Sequence, residues 1–160
     1  MYERTDIQQY LASRVARPSS AGVIIEDVAG RALVLKANYK SYWAFPGGWV
    51  DDEQTPPQAA VRELLEETGL NVDESSLTFA YVINRKSDIM QTYQFLFRTS
   101  HVRDNSEAIT MQADEIDATA FVAKSEVLAD ADNYGLAVVL WAQNDKRGYV
   151  EQQLEMKNIS

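Results

Sequence analysis

The stretch from Phe45 to Leu70, FPGGWVDDEQTPPQAAVRELLEETGL, admits few local structures. Its glycine pair predicts a tight turn after a strand end. Thr55 then serves as N-cap for a helix with Pro56 at the first position, where a missing N–H costs nothing. Gly69 is a left-handed stop. At about 100° per residue, Ala60, Val61, Leu64, Leu65 and Thr68 share a face that packs on a core. Glu63, Glu66 and Glu67 share a second arc, where i,i+3 and i,i+4 neighbours repel by about 0.2–0.5 kcal/mol per pair. The helix dipole adds to the cost, because all three lie in the C-terminal half. Arg62 offsets part of it through Glu66, its i,i+4 partner. A hard divalent cation, Mg²⁺ or Mn²⁺ in its place, offsets the rest: such ions take oxygen ligands and complete their shell with water and substrate phosphate. The competing reading of the same arc is a solvated, charged helix face.

The flanks decide between these readings. Pro46-Gly47-Gly48, then Arg62-Glu63-Leu64-x-Glu66-Glu67-x-Gly69-Leu70, closely resembles the signature of the Nudix hydrolases. Gly48, Arg62, Glu63, Glu66, Glu67 and Gly69 fill motif positions at the family's spacing across residues 48–70. One position departs: Gln54 stands where the family has Glu, with Glu53 one residue early. That Glu braces the loop and the motif arginine, so Gln54 is expected to keep a hydrogen bond to Arg62 but to add no charge.

The resemblance implies an α/β fold, a Nudix-type α/β/α sandwich with a mixed β-sheet and a loop–helix–loop motif. It implies Mg²⁺-dependent hydrolysis of the diphosphate linkage in nucleoside triphosphates or nucleotide conjugates, by water attack on phosphorus. Glu66 and Glu67 are then the main metal ligands, with Glu63 a third ligand or the base. Arg62 orients Glu63 and Glu66, and Gly47 offers a carbonyl and the turn. Glu115 matches the family's habit of adding an acid from a later loop, ahead of Asp114 and Glu107. The stretch from Asn84 to Gln91 has no proline, which counts against the ADP-ribose type, and no NADH or coenzyme A signature is present. A different class, a non-catalytic nucleotide sensor, is the alternative, favoured only by Gln54.

Elsewhere the chain bounds the answer. Its 160 residues read as one domain, 1–160. A net charge of −9 argues against nucleic acid and anionic membranes as main partners and leaves a small nucleotide substrate. With no cysteine, disulfides and thiolate chemistry are excluded, and a cytoplasmic setting is expected. The start is too polar for a signal peptide, and the longest apolar run, Gly135 to Ala142, is too short to span a membrane. His101 is the sole histidine and reads as a loop residue.

Residues 5–15 predict a helix, capped by Thr5 or Asp6, that covers a sheet face or a partner in a homodimer. Strands follow at Ala21–Ile25 and Ala32–Leu35. In KANYKSYW, Lys36 to Trp43, the functional reading is a mouth where Lys40 meets phosphate and an aromatic stacks a base; Trp43 is read as structural, and Trp49 as packing under the loop. Leu77–Ile83 and Thr92–Phe97 form strands around a polar turn, Asn84 to Asp88. Arg85 and Lys86 then sit at a solvated tip, with phosphate steering as their functional alternative. Thr99 to Asp114 is a long loop and a candidate lid. Ala118–Val122 is a strand, Ser125-Glu126 caps a short helix, and Tyr134–Asn144 is the last helix. The tail from Lys146 onward has no assignment.

Overall fold

The computed structural model describes residues 3–103, 108–112 and 114–154. A seven-stranded mixed sheet lies between helices. The strands are β1 (Ser19–Asp27), β2 (Ala32–Ala37), β3 (Gly47–Trp49), β4 (Leu77–Lys86), β5 (Gln91–Arg103), β6 (Ile116–Val122) and β7 (Tyr149–Gln153). The sheet order is β6-β2-β1-β5-β4-β7, with β3 added to β1. Pairs β1–β5 and β4–β7 are parallel; the remaining strand pairs are antiparallel.

Alternation along the strands sets the two faces. Ala21, Val23, Ile25, Leu33 and Leu35 point to one side, against Ala59, Ala60 and Leu64 of helix α2 (Pro56–Thr68). Ile24, Val34, Ile83 and Leu96 point to the other, against α3 (Lys124–Ala129) and α4 (Leu136–Ala142). Phe45 meets Trp141 edge-on there, with ring centroids 6.1 Å apart. The expected α/β/α sandwich is the observed one. Among the described residues no helix is long and apolar enough to cross a membrane.

Several expectations need correction. Helix α1 spans Arg4–Ala12 with Glu3 as its cap, and it covers no sheet face, since none of its residues is buried. Leu65 is exposed; the core face of α2 is Ala59, Ala60, Leu64 and Thr68. The β4–β5 turn falls at residues 87–90, so Arg85 lies inside a strand. β5 continues to Arg103 and takes His101 out of any loop. Part of the candidate lid, Glu107 included, lies outside the described residues; residues 110 and 112 dock on the end of α2, through Thr110 N–H to Thr68 O (2.9 Å) and Gln112 N–H to Glu67 O (3.4 Å). The last helix is shorter than expected, Leu136–Ala142, and Ala123 rather than Ser125 caps α3. The unassigned tail supplies β7, paired in parallel with β4 from Val82↔Tyr149 to Lys86↔Gln153.

Candidate active site

Three elements meet at the glycine strand. Thr55 Oγ1 accepts the Gln58 N–H and starts α2 as expected, and Gly69 ends it with φ 71°. β3 lies on the first residues of β1, in register Ser20↔Trp49, Ala21↔Gly48 and Gly22↔Gly47. Gly47 adopts φ 152°, and a Cβ there would stand 2.3 Å from the Ala21 carbonyl and 2.6 Å from Gly22 Cα. Only glycine fits.

The motif charges assemble around this strand. Arg62 Nη1 donates to Glu66 Oε2 at 2.8 Å, and Nη2 lies 2.9 Å from Glu63 Oε1. Nη2 also donates to the Trp49 carbonyl (3.1 Å) and lies 3.2 Å from Asp51 Oδ2. One guanidinium therefore ties the helix acids to the end of the glycine strand and to the loop after it. Burial works against its charge, but Glu63, Glu66 and Asp51 outweigh burial and hold its pKa above the ordinary range. The expected Gln54–Arg62 hydrogen bond is not formed: Gln54 Oε1 and Arg62 Nε are both buried without a partner. Asp51 carries the bracing charge instead. Sequence reading missed it, and its only signal was its place in an acidic loop whose motif Glu is absent.

Glu67 points elsewhere. Its side chain is buried, at 7% exposure, and Oε2 accepts the Gly47 N–H at 2.8 Å. Burial pushes its pKa up to about 7 against that hydrogen bond and Lys40, with Glu63 and Glu115 adding repulsion. Burial likewise raises Glu63, against the charge and hydrogen bond of Arg62. The Glu63 carboxylate presses on Gly48, where a Cβ would come within 2.3 Å of Oε1. Glu66 remains exposed. Among the described residues no three acidic side chains converge into a ready cage, because Glu63 and Glu66 are drawn to Arg62 and Glu67 to Gly47.

The glycine strand also borders a cavity of about 190 Å³. Lys40, Arg85, Tyr39, Tyr42, Trp49 and Gln94 contribute to its wall. Gly47 and Gly48 thus border both the carboxylates and the cavity, with no side chain of their own in between. Trp49 is exposed at 56% and lines this cavity rather than packing under the loop. Trp43 is structural as expected, packed against the α4-side core. Lys40 Nζ stands 5.3 Å from the Tyr39 ring centroid. Burial lowers the Lys40 pKa, Glu67 and Glu63 oppose this, and Arg85 adds to it. Burial raises the Tyr39 phenol, helped by Glu67, Glu115 and Glu63. Glu115 is exposed, and its backbone is fixed by Asn38 N–H to Glu115 O (2.9 Å) and Asn38 Nδ2 to Asp114 O (2.8 Å). Tyr39 and Gln94 were not singled out in the sequence. Gln94 is a polar residue on the inward face of a strand, which is the signal that marks it.

A model of the NUDIX domain matches residues 16–141, and the chain belongs to the Nudix family. The 8-oxo-dGTP diphosphatase of Proteus vulgaris is 46% identical over 61 residues, 36% of this chain and 54% of that protein. The RNA pyrophosphohydrolase of Tolumonas auensis is 41% identical over 61 residues, 38% of this chain and 34% of that protein. The chain thus spans about half, or less, of these curated relatives. The solved MutT protein of Methanosarcina mazei Go1 shares the fold with a TM-score of 0.66 and 17% identity, covering 84% of this chain and 99% of that one.

Proposed function

We propose that this chain is a metal-dependent pyrophosphohydrolase that cleaves the diphosphate linkage of nucleoside triphosphates or nucleotide conjugates by attack of water on phosphorus. The observation that carries this reading is the bare glycine strand, which borders both the carboxylates of Glu63 and Glu67 and a cation-bearing cavity. A diphosphate laid on Gly47–Gly48 meets acidic residues from the helix without a side chain intervening.

The donor set fits a hard divalent cation, Mg²⁺ or Mn²⁺. It offers only oxygen: the carboxylates of Glu63, Glu66 and Glu67 and the Gly47 carbonyl. Repulsion among Glu67, Glu63 and Glu115 is what such an ion relieves. When bound, it supplies charge neutralisation on the phosphates. The chain's own residues do the rest. Arg62 orients Glu63 and Glu66 from behind and would hold them as they turn to an ion. Lys40 and Arg85 hold the substrate from the cavity side. Of the two candidate bases, Glu115 is the freer, since among the described residues no hydrogen bond or ion pair holds its carboxylate. It would take the proton of the attacking water. A small nucleotide, in a cytoplasmic setting, suits a chain of net charge −9 better than a nucleic acid does.

Phosphate release from a panel of nucleotides and conjugates, with Mg²⁺, with Mn²⁺ and with chelator, tests this. Metal-dependent release on at least one substrate is expected, and Glu66→Gln abolishes it with little change in Tm, because the substitution also relieves repulsion. Silence across the panel, with nucleotide still protecting against heat, would replace the hydrolase by the nucleotide sensor.

A further inference from the structure

Arg85 projects from β4 into the cavity wall between two glutamines. Its Nε donates to Gln152 Oε1 of β7 at 3.1 Å and its Nη2 to Gln94 Oε1 of β5 at 2.5 Å. Two amide oxygens fix the guanidinium without neutralising it. They use two of its five N–H donors. Lys40 is the second cation of the same wall, and among the described residues the cavity lining contains no Asp or Glu, in a chain with 24 acidic and 15 basic residues.

Among the described residues, half-buried Arg85 has amide partners but no carboxylate. Lys40, whose charge Glu67 and Glu63 only partly offset, lies close enough to repel it, an arrangement costly to the free protein. A cross-strand link from β5 to β7 needs no charge, so linkage alone does not explain arginine here. The missing counter-charge must come with a ligand. At about 190 Å³ the cavity is smaller than the roughly 300–1,000 Å³ of pockets that enclose a whole drug-sized ligand. It accepts one part of a substrate, and the glycine strand joins that part to the acidic helix. Tyr39, Tyr42 and Trp49 add rings to the same wall, which suits a nucleotide-bearing molecule.

We propose that the cavity is a second phosphate subsite, in which Arg85 and Lys40 hold a phosphate group that the substrate carries beyond the diphosphate being cleaved. This rests on the hydrolase reading above and narrows it. The preferred substrates are phosphate-extended ones, such as nucleoside triphosphates, dinucleoside polyphosphates and phosphorylated conjugates, over plain nucleoside diphosphate compounds. Arg85 is the specificity residue, because its remaining N–H groups suit phosphate oxygens.

Two measurements on the full chain test it. The first is binding of inorganic tripolyphosphate in the presence of chelator, followed by calorimetry and thermal shift, which needs neither metal nor turnover. Wild type should bind; Arg85→Gln should bind about ten- to hundredfold more weakly, the worth of a lost charged hydrogen bond, with Arg85→Lys between them. The second is the ratio of kcat/KM for a nucleoside triphosphate over the diphosphate of the same base, and for a dinucleoside tetraphosphate over the corresponding diphosphate. A ratio cancels any general loss, and Arg85→Gln and Lys40→Gln should both lower it about tenfold or more. An unchanged ratio with turnover intact, or a loss that follows the base rather than the phosphate count, overturns the subsite alone. Tripolyphosphate binding that Arg85→Gln leaves unaltered does the same. Tripolyphosphate binding lost in Arg85→Gln, in a protein that hydrolyses nothing, retains the subsite and overturns the hydrolase. If Arg85→Gln fails to fold, Arg85→Lys and Lys40→Gln carry both measurements.

Discussion

Gly47 and Gly48 are neighbours in one strand, yet they are glycine for different reasons. At Gly48 an added Cβ meets the carboxylate end of Glu63, a flexible side chain that can swing away. At Gly47 it meets the backbone of β1, which cannot. Gly48→Ala should therefore change Tm by no more than about 2–3 °C, roughly 1 kcal/mol, while misplacing Glu63 and lowering kcat/KM about a hundredfold. Gly47→Ala should cost about 3 kcal/mol or more and lower Tm by roughly 10 °C, because overlap adds to a positive φ. Thermal melts beside steady-state kinetics separate the two; a Gly48→Ala protein with full activity would remove Glu63 from the site. The contact of Arg62 with Glu66 was legible in the motif, since helix spacing brings i,i+4 groups within reach, whereas its contact with the adjacent Glu63 was implied only by the family resemblance. Its contact with Asp51 was not legible, because it depends on how the intervening loop turns.

The β1–β2 hairpin shows the same logic one level up. Asp27 is buried at the turn and accepts the N–H groups of Ala29 and Arg31 at 2.9 Å each, while Arg31 Nε reaches its other oxygen at 2.8 Å. Burial alone would raise its pKa, but these bonds and the charge of Arg31 outweigh burial and hold it below 3.8. A depressed folded pKa contributes stability above the unfolded value, lost as pH falls through the folded one. Asp27→Asn should thus cost about 1–3 kcal/mol at pH 7, and its Tm gap to wild type should shrink once pH falls below about 4. Denaturant melts from pH 7 to pH 2.5 would show it; a gap that widens in acid would contradict the assignment. The β4–β5 hairpin was misread for a related reason. Asn84 and Arg85 look like turn residues, but they are strand residues whose polar groups serve a β7 contact and the cavity. Polar positions inside strands are where local pattern and function part company.

The two ends of the chain contribute unequally to the whole. Helix α1 buries no residue; Ile7, Tyr10 and Leu11 are 49%, 58% and 61% exposed. β7 pairs with five residues of β4 and buries Val150 in the α4-side core. Deleting residues 1–13 should shift Tm by less than about 2 °C, whereas ending the chain at residue 146 should lower it by roughly 10 °C, since one buried valine alone is worth about 1.5–3 kcal/mol. Calorimetry on the two truncations decides; equal losses would mean that α1 is held in a way its exposure does not show.

By itself the sequence determined the motif helix with both its ends, the apolar strands of the first hairpin and the family, and through the family the layered α/β/α arrangement. Each of these rests on local periodicity or on short, fixed spacing, which a chain carries without knowing its distant neighbours. Tertiary structure alone decided that Glu67 is buried against Gly47 while Glu66 stays in solvent, and that Arg85 and Lys40 line one cavity. It also decided that the unassigned tail completes the sheet. These depend on parallel pairing and on groups brought together from 20 to about 70 residues apart, where the free energy belongs to the packed whole and leaves no periodic trace in the chain.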